Sequence, residues 1–175
     1  MKLFACIMYL GAAGILAHFL GESLPRGWFE SGSFPYRCMA WEKRGAVYER
    51  LGVRRWKDKM PDMSRIMPNM LPKRLRAKGR AGEADDLIRE TCVAELTHVM
   101  LCIAGLGCMW LWPGPGGAAA AAVWALGNLP YIIIQRYNRP RLARLSARLG
   151  RQVAKRKGDA LGEGVNIDLQ YGRGT

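Results

Sequence analysis

Three long apolar stretches, residues 3–21, 92–112 and 118–134, constrain this chain more than any other feature of its sequence. At 1.5 Å per residue each reaches across about 25 to 32 Å, the thickness of a bilayer's hydrocarbon core. In lipid a backbone must satisfy its own N–H and C=O groups, and continuous apolar runs of this length do so as helices. The fold class predicted is therefore an all-α integral membrane protein with about three transmembrane helices. The chain has 175 residues, which suits one membrane-embedded domain over 1–160 followed by a disordered tail over 161–175. The first stretch is read as a retained span rather than a signal peptide, because only Lys2 precedes it and no clear A-x-A site follows.

The formal charge is +13, and the cations avoid the apolar stretches. Of 27 Lys and Arg, one is Lys2, 16 lie in residues 22–91, none in the turn WPGPGG (112–117), and 10 follow residue 134. By the positive-inside rule the turn faces outward, while the long basic segment and the tail face the cytoplasm of a bacterial inner membrane. The N-terminus is then outside. Anionic lipid headgroups account for these juxtamembrane cations, so membrane lipids and not nucleic acid are the expected partners. The oligomeric state is not legible.

The segment 22–90 is too basic to span. Trp28, Phe29, Phe34, Tyr36, Trp41, Tyr48 and Trp56 alternate with cations through it, as in a layer lying at headgroup level. Pro25, Pro35, Pro61, Pro68 and Pro72 cut it into short interfacial helices, and RIMPNMLPKRLR suits a surface dipping into acyl chains. After the third span the basic continuation 138–157 has leucines at 142, 145 and 149, the spacing of an amphipathic surface helix. The five cysteines show no metal or disulfide spacing and are expected reduced, with no metal site and no bound cofactor.

Glu95 and His98 stand one helical turn apart inside the second stretch, where an ionisable group costs on the order of 2.5 to 3.5 kcal/mol and so faces a protein interior or wet cavity. If that span enters near Cys92, His98 lies about 9 Å deep; if the third leaves near Arg136, Asn128 lies about 12 Å deep. The two meet at similar depth, with His18 at the end of the first span able to join them. An imidazole that deprotonates a hydroxyl, held by a carboxylate on its far nitrogen, suits acyl transfer. Glu95 and His98 fit those roles, and Arg136, Arg139 and Arg141 form a fork at the rim for the phosphates of an acyl-CoA co-substrate. Other readings of the same residues stay open. Polar groups between membrane helices also act as hydrogen-bonding glue, Asn128 can satisfy the carbonyl that Pro130 frees, and Cys92 can be an acyl-accepting nucleophile.

GVRRWKDKMPD (52–62), ETCVAELTH (90–98) and NLPYIIIQRYNRPRL (128–142) occur in this order and at similar separations in the glycosyl-4,4'-diaponeurosporenoate acyltransferase family, which the chain resembles from about residue 20 to 145. The positions that match include Trp56, Lys57, Asp58, Glu90, Glu95, His98, Asn128, Pro130 and the run from Gln135 to Arg141. The resemblance implies a small membrane enzyme that esterifies a sugar hydroxyl of a glycosylated carotenoid acid with a fatty acyl chain.

The reading is thus a membrane O-acyltransferase with a His98/Glu95 base pair. Asn128, Glu90, Asp58 and His18 support the site, and Arg136, Arg139, Arg141, Lys57 and Trp56 bind the donor. One alternative moves the base to Asp58. Another is a non-catalytic protein that binds anionic or glycosylated lipid through the basic aromatic layer.

Overall fold

The computed structural model describes residues 1–60 and 81–171, with side chains in the second part from 82 to 155. The elements are α1 (Lys2–Ser23), α2 (Ala46–Arg50), α3 (Val53–Trp56), α4 (Ala81–Gly105), α5 (Cys108–Leu111) and α6 (Pro115–Tyr171), with 3₁₀ turns at Arg26–Trp28, Ala40–Gly45 and Lys57–Lys59. No strand occurs among the described residues. Three helical segments are long and apolar enough to cross a membrane: Lys2–Ser23, Gly82–Leu111 and Pro115–Lys155. Their outer faces expose Phe4, Phe19, Leu126 and Val123, side chains that water would not tolerate together on one surface. The protein is an all-α membrane protein.

The core of the bundle is the antiparallel pair α4 and α6. Rungs run down its length: Trp124 Nε1 donates to the Leu101 carbonyl at 2.8 Å, Arg139 reaches Thr91, and Ser146 donates to Asp85 at 2.7 Å. Helix α1 lies against α4 and α5. Its contact is close because Gly21 leaves no side chain between the backbone and Thr97 and Val93, and Cys6 and Leu10 bury against Cys108.

Two boundaries differ from the sequence expectation. The second apolar stretch, expected as one helix over 92–112, breaks at Gly105 and resumes as α5. Tyr9 of α1 sits at the break: its hydroxyl donates at 2.9 Å to the Ala104 carbonyl, which also accepts the Gly107 N–H of a tightened turn at 2.9 Å, and its ring occupies the space a Cβ on Gly107 would fill. The third stretch does not end at 134, nor does a separate helix begin at 138. One helix, α6, runs from Pro115 through Pro130 and Pro140 to Tyr171, so residues 161–171 of the expected disordered tail are helical and 172–175 lie outside the described residues. No proline follows Pro140, so no backbone donor is missing beyond it. The cross-links from Arg136 and Arg139 keep the basic part of α6 on α4.

The described part of the basic segment folds as a cap of short pieces; Pro25 and Pro35 stand among the first of them, whereas the breaks between 40 and 60 fall at Lys43–Gly45 and Gly52, where φ is positive. It docks through Phe29 on Cys92 and Val93, and through Tyr48 and Val53 on Tyr137, leaving Trp28, Phe34 and Trp41 exposed. At Lys43, Arg44 and Gly45 three consecutive residues have positive φ (47°, 55° and 89°). Gly45 is needed there, because a Cβ would stand 3.2 Å from the Pro140 ring and 3.1 Å from Arg141. The expected methionine and leucine surface RIMPNMLPKRLR, with Pro61, Pro68 and Pro72, lies outside the described residues.

Candidate active site

Helix α4 presents Thr91, Glu95 and His98 along one face, and the structure divides them between two clusters. The first is ionic. Glu95 Oε1 accepts from Arg136 Nε at 2.8 Å and Oε2 from Arg139 Nη2 at 2.5 Å, with Glu95 and Arg139 each only 4% exposed. Arg136 continues to Glu42 at 3.1 Å and the Pro35 carbonyl at 2.8 Å. Arg139 also donates to the Thr91 hydroxyl and carbonyl, both at 2.9 Å, and to the Tyr36 carbonyl at 2.8 Å. A buried arginine, Arg139, and a partly buried one, Arg136, thus face two buried carboxylates, and together they tie α4, α6 and the cap. Buried charges are tolerated only when paired in this way. The Glu95 carboxylate is therefore the anchor of Arg136 and Arg139. Of the arginine fork expected at the rim, these two are turned inward by the same bonds.

Glu42, which sequence reasoning passed over, is 1% exposed in the middle of the basic cap. Burial acts to raise its carboxyl, but hydrogen bonds from the Tyr48 hydroxyl (2.5 Å), the Met39 backbone N–H (2.5 Å) and Arg136 outweigh it and hold the group below the usual carboxylate range. Burial and the Glu42 bond together push the Tyr48 phenol far up, so it stays a proton donor. Nothing in the local pattern WEKRG marks depth, and Glu42 is found only through its partner on α6.

The second cluster lies one turn further along α4. His98 Nδ1 is 2.9 Å from Asn128 Oδ1, and the His98 ring stacks on Tyr131 with centroids 4.5 Å apart and planes within 9°. The Asn128 amide cannot be reversed, because its Nδ2 donates at 2.9 Å to the Trp124 carbonyl, which only accepts. Oδ1 must then face His98 and Nδ1 must carry a proton, so that whenever the ring is neutral its lone pair is on Nε2. The amide thus serves Trp124 and His98, rather than the carbonyl freed by Pro130.

The remaining expected residues scatter. Glu90 takes a two-nitrogen bond from Arg26 (2.7 and 3.3 Å), fastening the turn after α1. His18 pairs with Glu22 on its own helix at 3.6 Å. Arg141 stacks on Tyr137 at 3.6 Å and pairs with Glu49. Trp56 packs beside Tyr48 and Tyr137, Lys57 stands over the Tyr137 ring at 5.9 Å, and Asp58 is a 73% exposed side chain beside Lys57. Of these, Arg141, Trp56 and Lys57 gather around Tyr137, nine residues or about 14 Å along α6 from Asn128. All five cysteines are free, and Cys92 is wholly buried against Phe29.

Two hollows flank the α4–α6 seam. An apolar groove of about 600 Å³ between α1 and α6 ends at Asn128 and Tyr131. A smaller hollow of about 300 Å³ under the cap is lined by Arg44 and Arg144, with Arg136 and Arg139 behind them.

Residues 25–148 match the family model described as glycosyl-4,4'-diaponeurosporenoate acyltransferase. The chain belongs to this family. Proteins of that name from Staphylococcus aureus strains Newman and MRSA252 are each 30% identical over 159 residues, covering 89% of this chain and 92% of theirs. No solved structure matches. The match begins after α1 and takes in both clusters, so the ionic tie and the His98–Asn128 pair both lie in the part of the chain that carries the family likeness. The resemblance first carried by three short motifs holds across most of the chain.

Proposed function

We propose that this protein transfers a fatty acyl group from an activated donor to a hydroxyl of a membrane-embedded, glycosylated carotenoid-type acceptor, with His98 as general base. The observation that carries the assignment is the fixed tautomer: Asn128 holds the proton on Nδ1 and leaves Nε2 as the basic nitrogen. The acceptor hydroxyl gives its proton to Nε2 as its oxygen bonds to the acyl carbonyl carbon. The bond to the leaving group then breaks, and the departing thiolate or equivalent takes the proton back. While the ring is charged, Asn128 Oδ1 and the face of Tyr131 stabilise it, a cation–π contact of about 0.5 to 2 kcal/mol. Glu95 acts at one remove, holding α4 and α6 in register beside the base.

With Arg136 and Arg139 engaged in that tie, phosphates of a donor such as acyl-CoA meet Arg44 and Arg144 in the smaller hollow instead. That hollow lies under the basic cap, which we place in the cytoplasm, with the N-terminus outside.

The test is acyl transfer by His98→Ala and two Asn128 variants, each with its melting temperature in nanodiscs. His98→Ala should lose about 10²-fold or more in rate with little loss of folded protein. Asn128→Leu removes the acceptor that fixes the tautomer and should lose at least about tenfold, while Asn128→Asp keeps an acceptor and should recover part of that loss. Full specific activity in well-folded His98→Ala would refute the assignment.

A further inference from the structure

The groove between α1 and α6 has a shape that the proposed chemistry does not by itself require. Its polar groups stand at one end, where Asn128 and Tyr131 abut the His98 ring. From there its walls are apolar, with Ile7 of α1 facing Ala120, Val123 and Gly127 of α6. At the far end Trp112 lies across Gly116, in the space that a Cβ there would occupy.

We infer that this groove holds the acyl chain of the donor, carboxyl end at Asn128 and Tyr131 and methyl end at Trp112, and that its length selects the chain transferred. This rests on the acyl-transfer reading above. The occupant follows from where the polarity lies. A single unbranched amphiphile has one polar end and an apolar remainder, and so does the groove, whereas a two-tailed phospholipid has no reason to put a carbonyl against Asn128. Length gives the range. From Gly116 to Asn128 and Tyr131 α6 advances about 18 to 22 Å at 1.5 Å per residue. An extended chain built from bonds of about 1.5 Å advances about 1.25 Å per carbon, so the groove fits about 14 to 17 carbons. Ala120 lies eight residues from Asn128, about 12 Å, so a large side chain there would leave room for about 10 carbons. The α1 wall precedes the family-matched residues, so it can set chain length apart from the chemistry.

The experiment uses the full chain in nanodiscs and 16-carbon fatty acids carrying a photoreactive diazirine either at the methyl end or near the carboxyl. The methyl-end probe should label around Ile7 and Trp112, and the carboxyl-end probe around Tyr131. Both should saturate, and an unlabelled 16-carbon fatty acid should compete at least tenfold better than an 8-carbon one. In Ala120→Phe the best competitor should shorten to about 10 carbons, and in Val123→Trp, at a position 70% exposed, clear of the core and five residues or about 7.5 Å from Asn128, to about 6 carbons, with the 16-carbon acid weakened at least tenfold in both. Labelling that does not saturate and spreads equally to lipid-facing Phe19 and Val99 would overturn the proposal, as would an unchanged chain preference in both variants. His98→Ala separates the two claims. Retained labelling with lost transfer supports both, and retained labelling with retained transfer removes the base but leaves the groove.

Discussion

Replacing Glu95 by Gln separates an anchoring carboxylate from a catalytic one. Glutamine keeps the shape and one acceptor oxygen but turns an NH₂ group toward one of the two arginines. Arg136 still has Glu42, whereas Arg139 loses its one bonded carboxylate and is left with the Thr91 hydroxyl, the Thr91 carbonyl and the Tyr36 carbonyl, all neutral. It is also 4% exposed, so water does not replace the lost charge. Leaving one member of such a pair buried and uncompensated costs about 3 to 5 kcal/mol. At about 2 to 4 °C per kcal/mol for a chain of this size, melting in nanodiscs should fall by roughly 10 °C. Removing both charges together, Glu95→Leu with Arg139→Met, should recover much of that loss, because neither partner is then stranded. Activity per folded molecule should fall far less than in His98→Ala. Wild-type melting in Glu95→Gln together with abolished transfer would refute the anchoring role and return the carboxylate to the chemistry.

Acid should loosen the cap through Glu42. Its folded carboxyl is held below the ordinary value of 4.5, so its contribution is complete above that value and is lost as the pH falls through the depressed folded one. Glu42→Gln should flatten that acid limb in a pH series of melting temperatures. Gly117→Ala should destabilise the turn between α5 and α6 by about 1 to 3 kcal/mol, because the added Cβ meets the Cys108 and Trp112 carbonyls, which are backbone and cannot swing aside; unchanged melting would contradict this packing. For topology, an impermeant thiol reagent on intact cells should label a cysteine placed at Pro113 but reach exposed Cys38 only after permeabilisation. Labelling of Cys38 from outside would invert the proposed orientation.

The three spans, the segmented cap and the residues worth testing were legible in the sequence, because each rests on short-range physics. Apolar length fixes a span, proline interrupts a helix, and an ionisable group inside an apolar run demands a partner. Glu95 and His98 drew notice for that last reason, Asn128 for its matching depth in the third stretch, and Arg136 and Arg139 as cations at its rim. Who partners whom was not legible. Glu95 and His98 are neighbours in sequence, and spacing alone pairs them, yet both bond to side chains of α6, which begins 17 to 20 residues later at Pro115. Glu42 gave no signal, since the same carboxylate in a solvated loop has the same neighbours in sequence. Sequence thus determined that the chain lies in a membrane and which polar side chains it carries there. Only the packing of α6 and the cap on α4 decided that the carboxylate anchors arginines while an amide orients the imidazole, because hydrogen-bond geometry and desolvation depend on distances between residues that chain order does not set.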